Sequence, residues 1–207
     1  MLAHCGQLSA SSSLPISADL GIGFGESPES AAETVRLAAA AGVVGCSLED
    51  TPALGRGGAL SFDLSVERIR AASEAARGLP HDFVLTARCE HIAYGGTDLG
   101  LVIKRLRAFE EAGADVLYAP GLRDPETIQT VCASVRKPVN VLIGFRGITL
   151  GLLELQGLGV KRVSVGVMLA RTAYSAVVKA AQGLKETGRA HDASQEVRSV
   201  ELAKFFL

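Results

Sequence analysis

The feature that most limits the fold of this chain is a regular beat of short apolar runs and amphipathic helical segments, repeated six times. Leu14–Leu20 reads as a strand. Pro28–Ala41 reads as a helix with Ser27 as N-cap, Pro28 at its first position and Gly42 as its stop. Val43–Glu49 is the next strand and Leu64–Arg77 the next helix, with Asp63 as N-cap. The strands Phe83–Arg88, Asp115–Ala119, Val139–Gly144 and Arg162–Val165 follow, alternating with helices Leu99–Glu111 (capped by Asp98), Pro125–Val135 (after Asp124), Leu150–Gln156 and Met168–Lys185. Each unit takes about 25–30 residues, the length of a βαβ step. The strands are apolar on both alternations, as in Phe83-Val84-Leu85 and Val139-Asn140-Val141-Leu142-Ile143, which predicts a parallel sheet buried on both faces. A complete eight-unit barrel typically takes about 250 residues. A chain of 207 residues with six units predicts either an open doubly wound sheet or a TIM-type (β/α) barrel lacking its first two strand–helix units. The expected organisation is a flexible segment over 1–13, a (β/α) barrel domain over 14–188, and a tail over 189–207 with a helix around Gln195–Phe206.

Composition narrows the function classes. Lysine plus arginine number 21 against 22 aspartate plus glutamate, which gives no basic face for a nucleic-acid partner. The chain has no tryptophan and few aromatics, so base-stacking platforms are not expected either. No apolar run reaches the length of a membrane span, and MLAHCGQLSASSS lacks the pattern of a signal peptide. Cys5, Cys46, Cys89 and Cys132 show no CxxC spacing. They read as free thiols in a reducing, cytoplasmic setting rather than as a zinc site.

Three strand ends carry polar groups at matching positions: Asp19 in Ser17-Ala18-Asp19-Leu20-Gly21, Glu49 in Leu48-Glu49-Asp50, and Arg88 in Leu85-Thr86-Ala87-Arg88. Ligands of parallel α/β sheets bind beyond the carboxyl ends of the strands, so this set points to an anionic, metal-bound substrate. Plainer readings compete. Asp19 is also a good turn residue before glycines, Glu49-Asp50 (Asp50 above all) also reads as a solvated strand end, and Arg88 as a neutraliser of nearby acids. Gly21-x-Gly23-x-Gly25 lacks the GxGxxG spacing of a dinucleotide site and reads as a turn that lets a ligand approach the backbone near Gly23. His91, just past the third strand end, is a candidate acid–base group, whereas His4 and His191 fall in the chain's ends and His81 in a loop. Cys46 and Cys89 read as packing residues.

At the stretches LPISADLGIGFG, AAGVVGCSLED, DLSVERIRAASEAARGLP, FVLTARCE, AFEEAGADVLYAPGLRD, KPVNVL and LGVKRVSVG, the chain resembles the isocitrate lyase and phosphoenolpyruvate mutase superfamily, from about Leu14 to about Gly188. The resemblance implies a (β/α) barrel whose last helix swaps onto a partner subunit in a dimer or tetramer. It implies Mg²⁺ or Mn²⁺ and a small 2-oxo or 2-hydroxy carboxylic acid, with a C–C or C–P bond made or broken beside a pyruvate-like enolate. Carried over, Asp19 is the first metal carboxylate, Glu49 the second through metal-bound water, and Arg88 the partner of the substrate oxyanion. Asn140 lies at a strand end facing the same mouth. The chain also departs from the pattern. Gly21 stands where relatives carry an acid, the loop Thr51–Ala59 has no lyase cysteine, and Glu90-His91 follows Arg88 where relatives read Glu-Asn. No segment before Leu14 is long enough to supply the first two units and their carboxylate-holding loops. Three expectations result: a Mg²⁺-dependent lyase or mutase, a catalytically impaired relative acting as an oligomeric binding protein, or a chain that starts at an internal methionine of a longer protein.

Overall fold

The computed structural model describes residues 1–52, 58–144, 148–190 and 197–205. They divide into two compact units, Met1–Ser164 and Val165–Leu207. The first holds six parallel strands, β1 (Ser17–Asp19), β2 (Gly45–Glu49), β3 (Val84–Arg88), β4 (Val116–Tyr118), β5 (Val139–Leu142) and β6 (Arg162–Ser164). Helices α1 (Leu2–Ser11), α2 (Pro28–Ala40), α3 (Phe62–Arg77), α4 (Leu99–Glu111), α5 (Pro125–Ser134) and α6 (Leu152–Gly157) precede, connect and flank them. The second unit contains α7 (Met168–Thr187), closed by Gly188 in the left-handed conformation, then α8 (Ser199–Leu202) and a 3-10 turn over Ala203–Phe205. The expected tail helix around Gln195–Phe206 lies partly outside the described residues, as do His191 and residues 53–57 of the loop after β2.

Helix starts follow side-chain chemistry. Ser27, Ser61, Asp98 and Asp124 each accept from the amide three residues on, at 3.2, 3.3, 2.9 and 2.9 Å. Ser61, not Asp63, caps α3, because the helix begins one turn's fraction earlier at Phe62. Residues 1–13, expected as a flexible segment, include helix α1, which buries Cys5 and packs on α2.

Strand order is β1-β2-β3-β4-β5-β6, each strand parallel to the next. A doubly wound sheet needs a reversal of order, and there is none, so the singly wound alternative holds. The sheet also curls. Arg162 Nη1 on β6 donates to Thr86 Oγ1 on β3 at 3.0 Å. Three strand steps in a flat sheet are about 14 Å, beyond an arginine's reach. The described unit is thus a half-barrel, consistent with a truncated TIM-type fold.

The central strands are buried on both faces, as expected, but the second face mixes the apolar Val84, Val116 and Leu142 with polar groups, which corrects the expectation of strands apolar on both alternations in part. One face presents Ala18, Cys46, Leu48, Leu85, Ala87, Leu117, Val139 and Val141 to the core shared with Val35 of α2, Ile69 of α3, Leu106 and Phe109 of α4, and Ile128 of α5. The other carries Asp19, Ser47, Glu49, Thr86, Arg88, Tyr118, Asn140, Arg162 and Ser164. Alternation along a strand sends every second residue to this polar side.

Asp50 is a second correction: it is 2% exposed rather than solvated. Its Oδ2 accepts from Arg105 Nη1 at 3.1 Å and its Oδ1 from the Glu90 amide at 2.8 Å. Burial raises the Asp50 carboxyl, and the Glu90 amide and Arg105 pull it back. Arg105 also donates to Ser65 Oγ and to the Leu60 carbonyl, at 3.0 and 2.8 Å. Removing one member of such a pair leaves an uncompensated buried charge. Asp50→Ala should therefore lower the unfolding free energy by about 3–5 kcal/mol, read as a lower urea midpoint. Adding Arg105→Met to that variant should recover part of the loss.

Candidate active site

The parallel register brings the three strand ends together. Asp19 is paired with Ser47, and Glu49 with Arg88, which in turn pairs with Tyr118. All five side chains lie on the polar face, at or near the carboxyl ends of their strands. Ser47 Oγ donates to Asp19 Oδ1 at 2.9 Å, and the Gly21 amide donates to the same oxygen at 3.3 Å. Thr51 Oγ1 donates to Glu49 Oε2 at 3.1 Å.

Arg88 is the hub. Its Nη1 lies 2.7 Å from Asp19 Oδ2 and 3.0 Å from Glu49 Oε1, and its Nε donates to Glu90 Oε1 at 2.8 Å. The guanidinium carbon sits 5.2 Å from the centre of the Tyr118 ring. Burial works against the Arg88 charge, but Glu90, Asp19 and Glu49 outweigh it and hold the group above its ordinary range. Of the three acids around Arg88, Glu90 is the most enclosed, and burial pushes it up to about 7 despite Arg88.

Two other groups fix the frame. Arg68 of α3, 2% exposed, donates to the Gly25 carbonyl at 2.7 Å, to that of Ser27 at 3.3 Å, and to that of Ile22. It thereby ties the glycine loop after β1 to the helix. Gly23 adopts φ +86°, and a Cβ there would meet Thr34 Oγ1 at 2.7 Å. Close packing on α2 thus accounts for this glycine.

The expected site residues separate accordingly. Asp19, Glu49 and Arg88 converge. Asn140 on β5 is buried, and its Nδ2 donates to Ser164 Oγ at 3.0 Å. Among the described residues, no contact joins His91 to Arg88; its Nε2 accepts from the Asp98 amide at 3.3 Å in the loop leading to α4. Cys46 and Cys89 are fully buried, and burial pushes both thiols up to about 12. Sequence reasoning passed over Ser47, Tyr118 and Arg162. Their signal was parity: each lies an even number of residues from a polar group on its own strand or opposite one on the next.

Mg²⁺ takes oxygen ligands and keeps several waters. Among the described residues, no three or more His, Cys, Asp or Glu side chains form a metal-ligand group. Three carboxylates nevertheless share one guanidinium, which leaves surplus negative charge beside Asp19, whose side chain is 66% exposed. Asp19 as a direct ligand and Glu49, 18% exposed, through water fit a water-rich site rather than a closed cage.

The raised Glu90 has a measurable consequence. A folded-state value of about 7 against an ordinary 4.5 means that the folded protein keeps a proton the unfolded chain has lost. Stability from this group is full below 4.5 and falls as pH rises through about 7. Glu90→Gln removes the titration, so thermal midpoints of wild type should fall relative to the variant between those two pH values.

The chain matches the family profile of phosphoenolpyruvate phosphomutase over residues 1–185. It is 34% identical over 190 residues to a probable 2-methylisocitrate lyase 2 of Corynebacterium glutamicum, covering 88% of this chain and 60% of that protein. The chain thus spans less than two thirds of that relative's length. A crystal structure of a candidate lyase/mutase from Burkholderia cenocepacia J2315 superposes with a TM-score of 0.94 at 48% identity, covering all of this chain and 74% of the other. A structure of oxaloacetate acetylhydrolase with its product oxalate gives a TM-score of 0.84 at 26% identity, covering 99% of this chain and 71% of the other.

Proposed function

The chain belongs to the isocitrate lyase and phosphoenolpyruvate mutase superfamily, and from that premise we propose that it is a Mg²⁺- or Mn²⁺-dependent lyase or mutase. Its substrate is a small 2-oxo or 2-hydroxy carboxylic acid that reacts through a pyruvate-like enolate. The observation that carries the reading is the convergence of Asp19, Glu49 and Arg88 at three adjacent strand ends. The relatives named for 2-methylisocitrate and oxaloacetate cleavage support the substrate class.

In this reading Asp19 holds the cation directly and Glu49 holds it through water. A bound divalent cation supplies Lewis-acid stabilisation of negative charge on a substrate oxygen. Arg88 presents a fixed guanidinium to the developing oxyanion, and its planar fork suits a carboxylate or phosphonate. Glu90 and Tyr118 keep that guanidinium in place, so little reorganisation accompanies charge development. The loop after β2 carries no cysteine, so a thiol proton of the isocitrate lyase kind is not part of the proposal. Decarboxylation or C–C cleavage that releases pyruvate suits the remaining groups. Four free cysteines suit a reducing compartment such as the cytoplasm. The apolar row Tyr174, Val177, Val178 on α7 suits a helix exchanged in a homodimer or tetramer.

Mg²⁺-dependent pyruvate release from oxaloacetate and from a methylisocitrate-like acid is the direct test. Asp19→Ala should abolish it, and Arg88→Ala should lower kcat/KM by about 10²–10³-fold. Wild type and Asp19→Ala equally silent across the panel would sink the catalytic reading. Gly21, standing where relatives carry an acid, favours a second reading: a catalytically impaired binding protein. Calorimetry with Mg²⁺ and oxalate separates the two: tight metal-dependent binding favours a working site, and its absence favours the impaired one.

A further inference from the structure

The polar face carries a second arginine whose surroundings differ from those of Arg88. Arg162 on β6 is in register with Asn140, which is in register with Tyr118 and, through it, with Arg88. It is half-buried, and its Nη1 donates to Thr86 Oγ1. Among the described residues Arg162 makes no ion pair, whereas Arg88 is shared by three carboxylates. Beside it, Asn140 Oδ1 is buried and lacks a hydrogen-bond partner among the described residues. A cation drawn out of water calls for a counter-charge, and an orphaned acceptor calls for a donor.

Thr86 precedes Arg88 by two residues on the same face, about 7 Å along the strand. Arg162 therefore reaches the polar face one step deeper than the Asp19–Glu49–Arg88 cluster. A diacid of about four carbons, held by its 2-oxo or 2-hydroxy end at the mouth, extends over a comparable distance.

We propose that Arg162 is a substrate-binding residue that receives the carboxylate remote from the reacting centre, so that the site selects dicarboxylic over monocarboxylic acids. This rests on the enolate reading above and adds a specificity role to it. Thr86 positions the guanidinium by accepting one of its five N–H bonds, which leaves the others free for a bidentate carboxylate.

Calorimetry on the full chain with two probes tests the role. Succinate without metal reports the remote carboxylate site, and oxalate with Mg²⁺ reports the mouth alone. Arg162→Met should weaken succinate binding at least about tenfold, a change of one decade in Kd. Oxalate with Mg²⁺ should stay within about twofold, and the thermal midpoint should be little changed. Arg162→Lys keeps the charge but loses the fork, so it should give an intermediate loss; it also keeps the test alive if the methionine variant fails to fold. Unchanged succinate affinity in both variants, or no succinate binding by wild type, overturns the proposal. So does a lowered thermal midpoint with both probes weakened alike, which assigns Arg162 to a carboxylate of the protein itself. Loss of oxalate binding in Asp19→Ala checks the enolate reading separately, since oxalate does not extend to Arg162.

Discussion

Arg88 is held from three directions, by Asp19 at the end of β1, Glu49 at the end of β2 and Glu90 just beyond β3. None of these acids is near another in the sequence except through the parallel register of the three strands. The guanidinium keeps three carboxylates together that would otherwise repel, and they in turn compensate its burial. Much of the neighbouring structure braces this cluster. The Asp50–Arg105 pair holds the Glu90 amide from below, and Arg68 holds the loop that leaves β1.

The strand–helix beat was legible because period and caps agree locally. Leu99–Glu111 begins and ends where its Asp98 cap and its apolar stripe place it. Asp19, Glu49 and Arg88 were legible for a different reason: strand ends of a parallel sheet are where ligands meet it. Beyond Asn140, the rest of the polar face was not legible. Thr86 and Tyr118 each sit in a mostly apolar run, Arg162 follows Lys161 as a charged strand start would, and only the ladder shows that they adjoin Asn140. Asp50 misled because its partner lies 55 residues away on α4. Ser61 and Asp63 are both good caps, and which of them is used depends on how early the chain turns into α3 after Leu60. In residues 1–13, small and polar side chains give α1 a weak stripe, and the helix is seen only once its contact with α2 is on view.

The division of the sheet into an apolar side and a largely polar one also separates two tasks. Residues such as Leu85, Ala87 and Leu117 secure the helices, and their replacements are judged by volume alone. Residues one position away, such as Thr86 and Arg88, decide charge and hydrogen bonding. A change on one side need not disturb the other, because adjacent side chains on a strand point to opposite faces.

Arg68 grips the loop after β1 through three carbonyl oxygens. The path of that loop is thus written in a residue of a different helix. Gly23, which must lie flat on Thr34, and Ser27, which caps α2, add to that hold. While Arg68 holds those carbonyls, an exposed loop side chain such as Phe24 can change, and with it the rim of the site, without refolding the segment that carries Asp19.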